Sequence, residues 1–292
     1  MTSQRYVKLM VLSHPRPPLP IHSLTGPATP QNPIVLAHGL MGFDTLQLAG
    51  SILPGVQYWR GIVAALRANG VDVITASVPP SASIEERALK LSEDIAKRAD
   101  GRSVNIIAHS MGGLDARYMI SQLKPDNVKV LSLTTVATPH RGSAFADFML
   151  DEIGPKHLLR LYKLLEGAGL GTGAFKQLTR DYMVHDFNPK TPDDPSVRYF
   201  SYGATVSPRF WSAFRQPHKI VERMEGANDG LVSVESSKWG TYKGTLVDVS
   251  HLDLINWSAI RVFMGKIRGG QRKFSAIAFY LDIADMLAKE GL

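Results

Sequence analysis

The chain has 292 residues, 44% of them hydrophobic, a formal net charge of +7 and no cysteine. That length and composition suffice for one sizeable core, while the absence of cysteine excludes disulfides and thiolate-ligated metals. The positive charge could suit an anionic partner, but lysines and arginines are scattered among acids and no nucleic-acid recognition motif is present, which argues against a nucleic-acid partner and leaves peripheral contact to an anionic membrane surface.

The first stretch, "MTSQRYVKLMVLSHPRPPLP", lacks the apolar core of a secretory signal. It carries Arg5, Lys8 and Arg16, with no acid before Asp44, which faintly resembles a mitochondrial presequence; the other reading is a flexible leader over residues 1–32. The ordered domain is expected from residue 33 to 292. "IVLAHG" reads as a short buried strand entering a glycine turn, "YWRGIVAALRANG" as a helix with a glycine stop, and "VDVITASV" as a strand broken by Pro79 and Pro80. "SIEERALKLSEDIAKRA" places Ile84, Ala88, Leu91 and Ile95 on one helical face, with Ser83 and Glu86 as a capping box. "SVNIIAH", "MGGLDARYMISQL" and "VKVLSLTTVAT" continue as strand, helix and strand. This alternation predicts a parallel sheet with ligands at the carboxyl ends of its strands.

From about residue 144 to 195 the alternation lapses into a leucine- and glycine-rich excursion. Leu158, Leu159, Leu161, Tyr162, Leu164 and Leu165 are too many apolar positions for a one-sided surface helix, so the segment is either deeply buried or sometimes exposed. "VRYFSYGAT" resumes the sheet, "GTLVDV" is the last expected strand, and "KFSAIAFYLDIADMLAKEG" closes the chain as an amphipathic helix. No run approaches the roughly 18 apolar residues of a membrane span, so a soluble or peripheral protein is expected.

Ser110 falls on the turn between a predicted strand and a predicted helix, flanked by Ala108, Gly112 and Gly113. A sharp nucleophile elbow needs small residues there, because its backbone is strained and helix and strand come close. A serine hydroxyl is a weak nucleophile without a histidine base, and that histidine needs a carboxylate to fix its tautomer. In chain order serine, acid, histidine, the candidates are Asp229 in "GANDGLVS" and His251 in "DVSHLDLINW". Each alone has a plainer reading, as a turn aspartate or a structural histidine; the three together in this order point to a triad. His109 adjoins the serine but should point away around the turn, and His140 precedes Asp229 and is read as structural or supporting. The oxyanion donors are expected to be the backbone N–H groups of Met111 and of Leu40 in "HGLMG", whose side chains are then free to form an apolar wall.

The stretches "PIVLAHGLMGFD", "QYWRGI", "VNIIAHSMGGLDARY", "VATPHRGSAFADF", "ANDGLVSVESS" and "SHLDLINW" resemble, in order over roughly residues 33 to 260, the bacterial triacylglycerol lipases of the Pseudomonas and Burkholderia type and related fungal intracellular lipases. The resemblance implies an α/β-hydrolase fold, with a mostly parallel central sheet, helices on both faces and a helical lid insertion at about 145–185. It also implies hydrolysis of long-chain acylglycerols at an oil–water or membrane interface, with Ser110 as nucleophile, Asp229 as acid, His251 as base and no cofactor. Two departures stand out. Glu235 occupies the segment where the bacterial family has a cysteine, which favours an intracellular protein. Of the family's two calcium-binding aspartates only Asp253 has a counterpart, since "TVSPRFWSAFRQ" holds no acid, so no metal site is expected and Asp253 is read as ordering the His251 loop. The remaining alternatives are a phospholipase or acyltransferase using the same triad, and a non-catalytic lipid-binding protein.

Overall fold

The computed structural model describes residues 28–40, 58–80, 82–151, 173–207, 214–257 and 274–292. Its sheet is built from β1 (Ile34–Ala37), β2 (Val73–Thr75), β3 (Val104–His109), β4 (Val130–Val136), β5 (Arg198–Thr205) and β6 (Thr241–Val247). The six strands lie in the order β2-β1-β3-β4-β5-β6, and every pairing is parallel.

Burial on both faces explains why the strands read as continuous apolar runs. In β1, Ile34 and Leu36 enter one core cluster while Val35 and Ala37 enter the other. The first cluster also takes α1 (Ile62–Ala68) and the closing helix α6 (Ala276–Lys289); the second takes α2 (Ile84–Ala99) and α3 (Gly112–Tyr118). In α6 the buried set Ala276, Phe279, Tyr280, Ile283, Ala284 and Leu287 follows the helical repeat, and Ser275 caps its start through the Ala278 N–H. The capping box of α2 forms in both directions: Ser83 Oγ accepts from Glu86 N–H at 3.3 Å and the Glu86 carboxylate from Ser83 N–H at 3.2 Å.

Several boundaries depart from the sequence reading. The predicted helix over "MGGLDARYMISQL" is α-helical only to Tyr118 and continues as a π-helix over Met119–Leu123, ending at Lys124 with φ 43°. The last strand starts at Thr241, before the predicted glycine, and ends ahead of Asp248, whose φ of 62° turns the chain out of the sheet. Residues 28–32 of the expected leader are tied to the C-terminal region, with Ala28 N–H bonded to the Asp285 carboxylate and Gln31 N–H to the Leu292 carbonyl. Within the expected lid, α4 (Ala144–Asp151) and the helical segment from Gly173 are described, whereas the leucine cluster from Leu158 to Leu165 lies outside the described residues. Among the described residues, no helix is long and apolar enough to cross a membrane.

Candidate active site

Ser110 follows the last residue of β3 and has φ 55°, a left-handed conformation that is strained for a side chain other than glycine. The strain is held from three sides. Ser110 N–H bonds to the Val136 carbonyl at 2.9 Å, its carbonyl accepts the Thr138 hydroxyl at 2.7 Å, and α3 begins two residues later. A Cβ on Gly112 would lie 2.7 Å from the carbonyl oxygens of Ala37 and His38, so only glycine lets α3 sit this close to the end of β1. A Cβ on Gly39 would meet Ser110 Cβ at 2.8 Å; the glycine there permits close approach of the loop to the serine, and its φ is not in the left-handed region.

The Ser110 Oγ lies 3.0 Å from His251 Nε2, and His251 Nδ1 lies 2.7 Å from Asp229 Oδ2. Asp229 and His251 are buried whereas Ser110 is half-buried, so the hydroxyl is the accessible end of the chain of bonds. His251 leaves the sheet after β6. Asp229 comes from a loop after α5 (Arg215–Glu225) that returns to the end of β5 through the bond from Val206 N–H to the Asn228 carbonyl. The second Asp229 oxygen accepts Leu231 N–H at 3.0 Å and Val232 N–H at 2.9 Å, and the Asp229 carbonyl accepts the His251 N–H at 3.0 Å. Acid and histidine are thus fixed to each other by backbone as well as side chain.

Two successive peptide groups of the loop after β1 are clamped. Arg87 Nη2 donates to the His38 carbonyl at 2.8 Å, and the N–H of that same peptide, Gly39, donates to Tyr58 Oη at 3.0 Å. The next carbonyl, Gly39, bonds to His38 Nδ1 at 3.0 Å while His38 Nε2 accepts from Val78 N–H. Because a peptide is planar, holding the Gly39 carbonyl sets the opposite direction of the Leu40 N–H. Among the described residues, neither Leu40 N–H nor Met111 N–H donates to a protein acceptor. Arg87 itself is fully buried and paired with Asp115 of α3 at 2.8 Å, which joins α2, α3 and the loop in one network. The side chains of Leu40 and Met111 pack in a third apolar cluster with Ile84, Leu114, Ala174, Met183 and Phe187.

Both competing histidines lie in the fold's interior. The His109 ring is held at Nδ1 by Tyr58 and tilts against the His251 ring at 4.6 Å between centroids. His140 bonds to Thr135 Oγ1 at 3.0 Å and stacks on Trp239, on which the Arg117 guanidinium also lies. Burial holds His38 down to about 4, and burial, reinforced by His251 beside His109 and by Arg117 and Arg141 beside His140, holds those two well below the usual imidazole value.

Asp253 orders the histidine loop: its Oδ2 accepts Ser250 N–H at 2.9 Å and the Ser250 hydroxyl at 2.6 Å. With that oxygen committed, and no acid in the sequence from Thr205 to Gln216, the donor set does not fit calcium, which takes six to eight oxygens. Glu235 stands in a short helix, Val234–Ser237, that is cross-linked to the loop after β4 by polar bonds. Arg141 Nη1 donates to the Glu235 and Lys238 carbonyls, and Ser236 Oγ both accepts Arg141 N–H and donates to the Gly142 carbonyl.

Sequence reasoning did not single out Arg87, Tyr58, His38 or Thr138. Arg87 reads as one more charge on a polar helix, and only the tertiary contact with Asp115 reveals its burial. Tyr58 carries a legible signal, an aromatic pair placed just ahead of a helix, although nothing local says where its hydroxyl goes.

A parallel sheet that presents a serine on a strained strand-to-helix turn defines the α/β-hydrolase class, to which the chain belongs. The comparisons with known proteins narrow this. Residues 85–164 match the PGAP1-like alpha/beta domain family. Triacylglycerol lipase 2 of Saccharomyces cerevisiae is 40% identical over 90% of this chain and 93% of its own length. A triacylglycerol lipase of Pseudomonas fragi is 27% identical over 89% and 97%. The crystal structure of Staphylococcus hyicus lipase superposes with a TM-score of 0.67 at 21% identity, covering 91% of this chain and 98% of that one. The chain belongs to the triacylglycerol lipase family.

Proposed function

We propose that the chain hydrolyses long-chain acyl esters, triacylglycerols first among them, through an acyl-enzyme on Ser110. The observation that carries this reading is the continuous bond chain from Ser110 Oγ through His251 to Asp229, at 3.0 Å and 2.7 Å. Asp229 bound at Nδ1 directs the bare Nε2 of His251 toward the hydroxyl, so the ring takes the serine proton as Oγ attacks the ester carbonyl. The Leu40 and Met111 N–H groups stabilise the oxyanion. The imidazolium then protonates the leaving alcohol, and a water activated by the same ring frees the fatty acid. No metal or cofactor enters any of these steps.

The yeast and Pseudomonas relatives carry lipase names, and the apolar cluster at Leu40 and Met111 offers the acyl chain a wall beside the serine. The segment at about 145–185 is proposed as a lid within a single domain from residue 33 onward, on the strength of its leucine-rich composition. Opening such a segment exposes apolar surface that suits a lipid interface better than water. An intracellular, lipid-associated site of action goes with this reading.

The test is hydrolysis of p-nitrophenyl esters from acetate to palmitate and of emulsified triolein by the wild type and Ser110→Ala. The expected result is activity that rises with chain length and falls at least ~10³-fold in the variant. Full activity in Ser110→Ala would refute the triad. Acyl transfer to an added alcohol outrunning release of free fatty acid would replace the hydrolase reading with an acyltransferase, and preference for phospholipid vesicles over triolein with a phospholipase.

A further inference from the structure

We propose that Tyr58 is a positioning residue that locks the loop after β1 to the histidine side of the site, and so aims the Leu40 N–H at the developing oxyanion. The inference rests on the triad reading above and adds a residue outside that triad.

Tyr58 Oη is buried at the meeting point of two bonds, accepting the Gly39 N–H at 3.0 Å and lying 2.6 Å from His109 Nδ1. His109 is fully buried and neutral, so only one of its ring nitrogens carries a proton. If that proton sat on Nδ1, the tyrosine oxygen would accept twice and its own hydrogen would be left buried without an acceptor. The arrangement that satisfies every group at the hydroxyl has Tyr58 O–H donating to Nδ1 while its lone pair receives the Gly39 N–H. The proton of His109 then stands on Nε2, which has no hydrogen-bond partner among the described residues. The ring-to-ring contact of 4.6 Å completes the link to His251. One hydroxyl therefore ties the peptide next to the oxyanion donor to the ring that braces the base.

The tie has a second consequence. Gly39 and Leu40 present successive N–H groups in a loop pressed against Ser110. With the Gly39 N–H engaged by Tyr58, Leu40 is the one of these two left to bond the oxyanion. Without the hydroxyl, the 38–39 peptide keeps only its Arg87 contact, and its buried N–H must turn to find another acceptor.

The experiment measures kcat and KM of Tyr58→Phe on p-nitrophenyl butyrate and on its thionoester, with the thermal midpoint followed in parallel and Ser110→Ala as the reference for the triad. An intact oxyanion hole bonds developing O⁻ better than S⁻, so a misaimed donor slows the ester more than the thionoester. The expected result is a kcat on the ester lower by roughly tenfold to a hundredfold, a KM within about twofold, and a narrowed ester-to-thionoester ratio. A folded Tyr58→Phe with wild-type kcat, or with both substrates slowed equally, overturns the inference. If Tyr58→Phe does not fold, His109→Asn and His109→Leu decide: the asparagine keeps an acceptor for the tyrosine hydroxyl and should retain most of the discrimination, the leucine should lose it, and equal behaviour of the two overturns the proposal. Activity in Ser110→Ala would instead remove the triad reading beneath it.

Discussion

Asp229 uses one oxygen for His251 and the other for two backbone N–H groups, and this division predicts a clean separation of activity from stability. In Asp229→Asn the amide oxygen can keep the Leu231 and Val232 bonds, while the NH₂ group faces His251 Nδ1 and forces the ring to present Nε2–H to Ser110. The serine then has no base. The expected outcome is a loss of about 10⁴-fold in kcat with a thermal midpoint within a few degrees of wild type; a variant retaining a tenth of the activity would contradict the assigned tautomer. Ser110, Asp229 and His251 stand out in the sequence because each adjoins a turn signal and because their order is diagnostic. The residues that hold the loop after β1 do not, since their side chains act on backbone groups that no local pattern marks. Arg87 sits among glutamates and lysines on a polar helix, yet its guanidinium reaches the carbonyls of Pro79 and His38 as well as Asp115.

At the scale of elements, the contact between α3 and β1 is set by the absence of one carbon atom. In Gly112→Ala the new Cβ meets two backbone carbonyl oxygens at 2.7 Å, and backbone cannot swing aside as a side chain would. The helix must move away from the strand, displacing the Ser110 turn and the 38–40 loop together. Overpacking of this kind costs typically 1–3 kcal/mol, so chemical denaturation should show a loss of about that size, accompanied by reduced kcat. Unchanged stability would mean that the approach of α3 to β1 is looser than described. Strand and helix positions and the parallel sense of the sheet were legible here because apolar runs, alternating elements and capping residues repeat along the chain. The passage of α3 into a π-helix at Met119 was not, because "MISQL" has ordinary helical composition and carries no local signal for the wider turn. The first residues of the last strand were not legible either, because "TYK" carries no apolar run, yet Thr241 and Tyr242 pair with Phe200 and Ser201 ahead of the register shift.

For the molecule as a whole, the buried histidines make acid the vulnerable side. A histidine whose folded value is depressed stabilises the fold fully above its unfolded value near 6.5, and that stability drains as pH falls toward the folded value. His38, held near 4, behaves this way, and so do His109 and His140. Asp115, pushed up to about 6 by burial despite Arg87, works in the opposite direction over the same interval and offsets roughly one histidine. Two histidines remain uncompensated. The thermal midpoint should therefore fall as pH is lowered from about 7 to 5, with protons taken up on unfolding; a flat or rising midpoint across that interval would show that these rings are solvated.

The serine and its base are 141 residues apart in the chain, and the base comes second. At ribosomal rates of roughly 5–20 residues per second, Ser110 is synthesised about 7–30 s before His251 exists. During that interval the nascent chain carries the Ser110 hydroxyl without the imidazole that faces it in the fold. Translation order alone therefore keeps the site incomplete until most of the chain has been made.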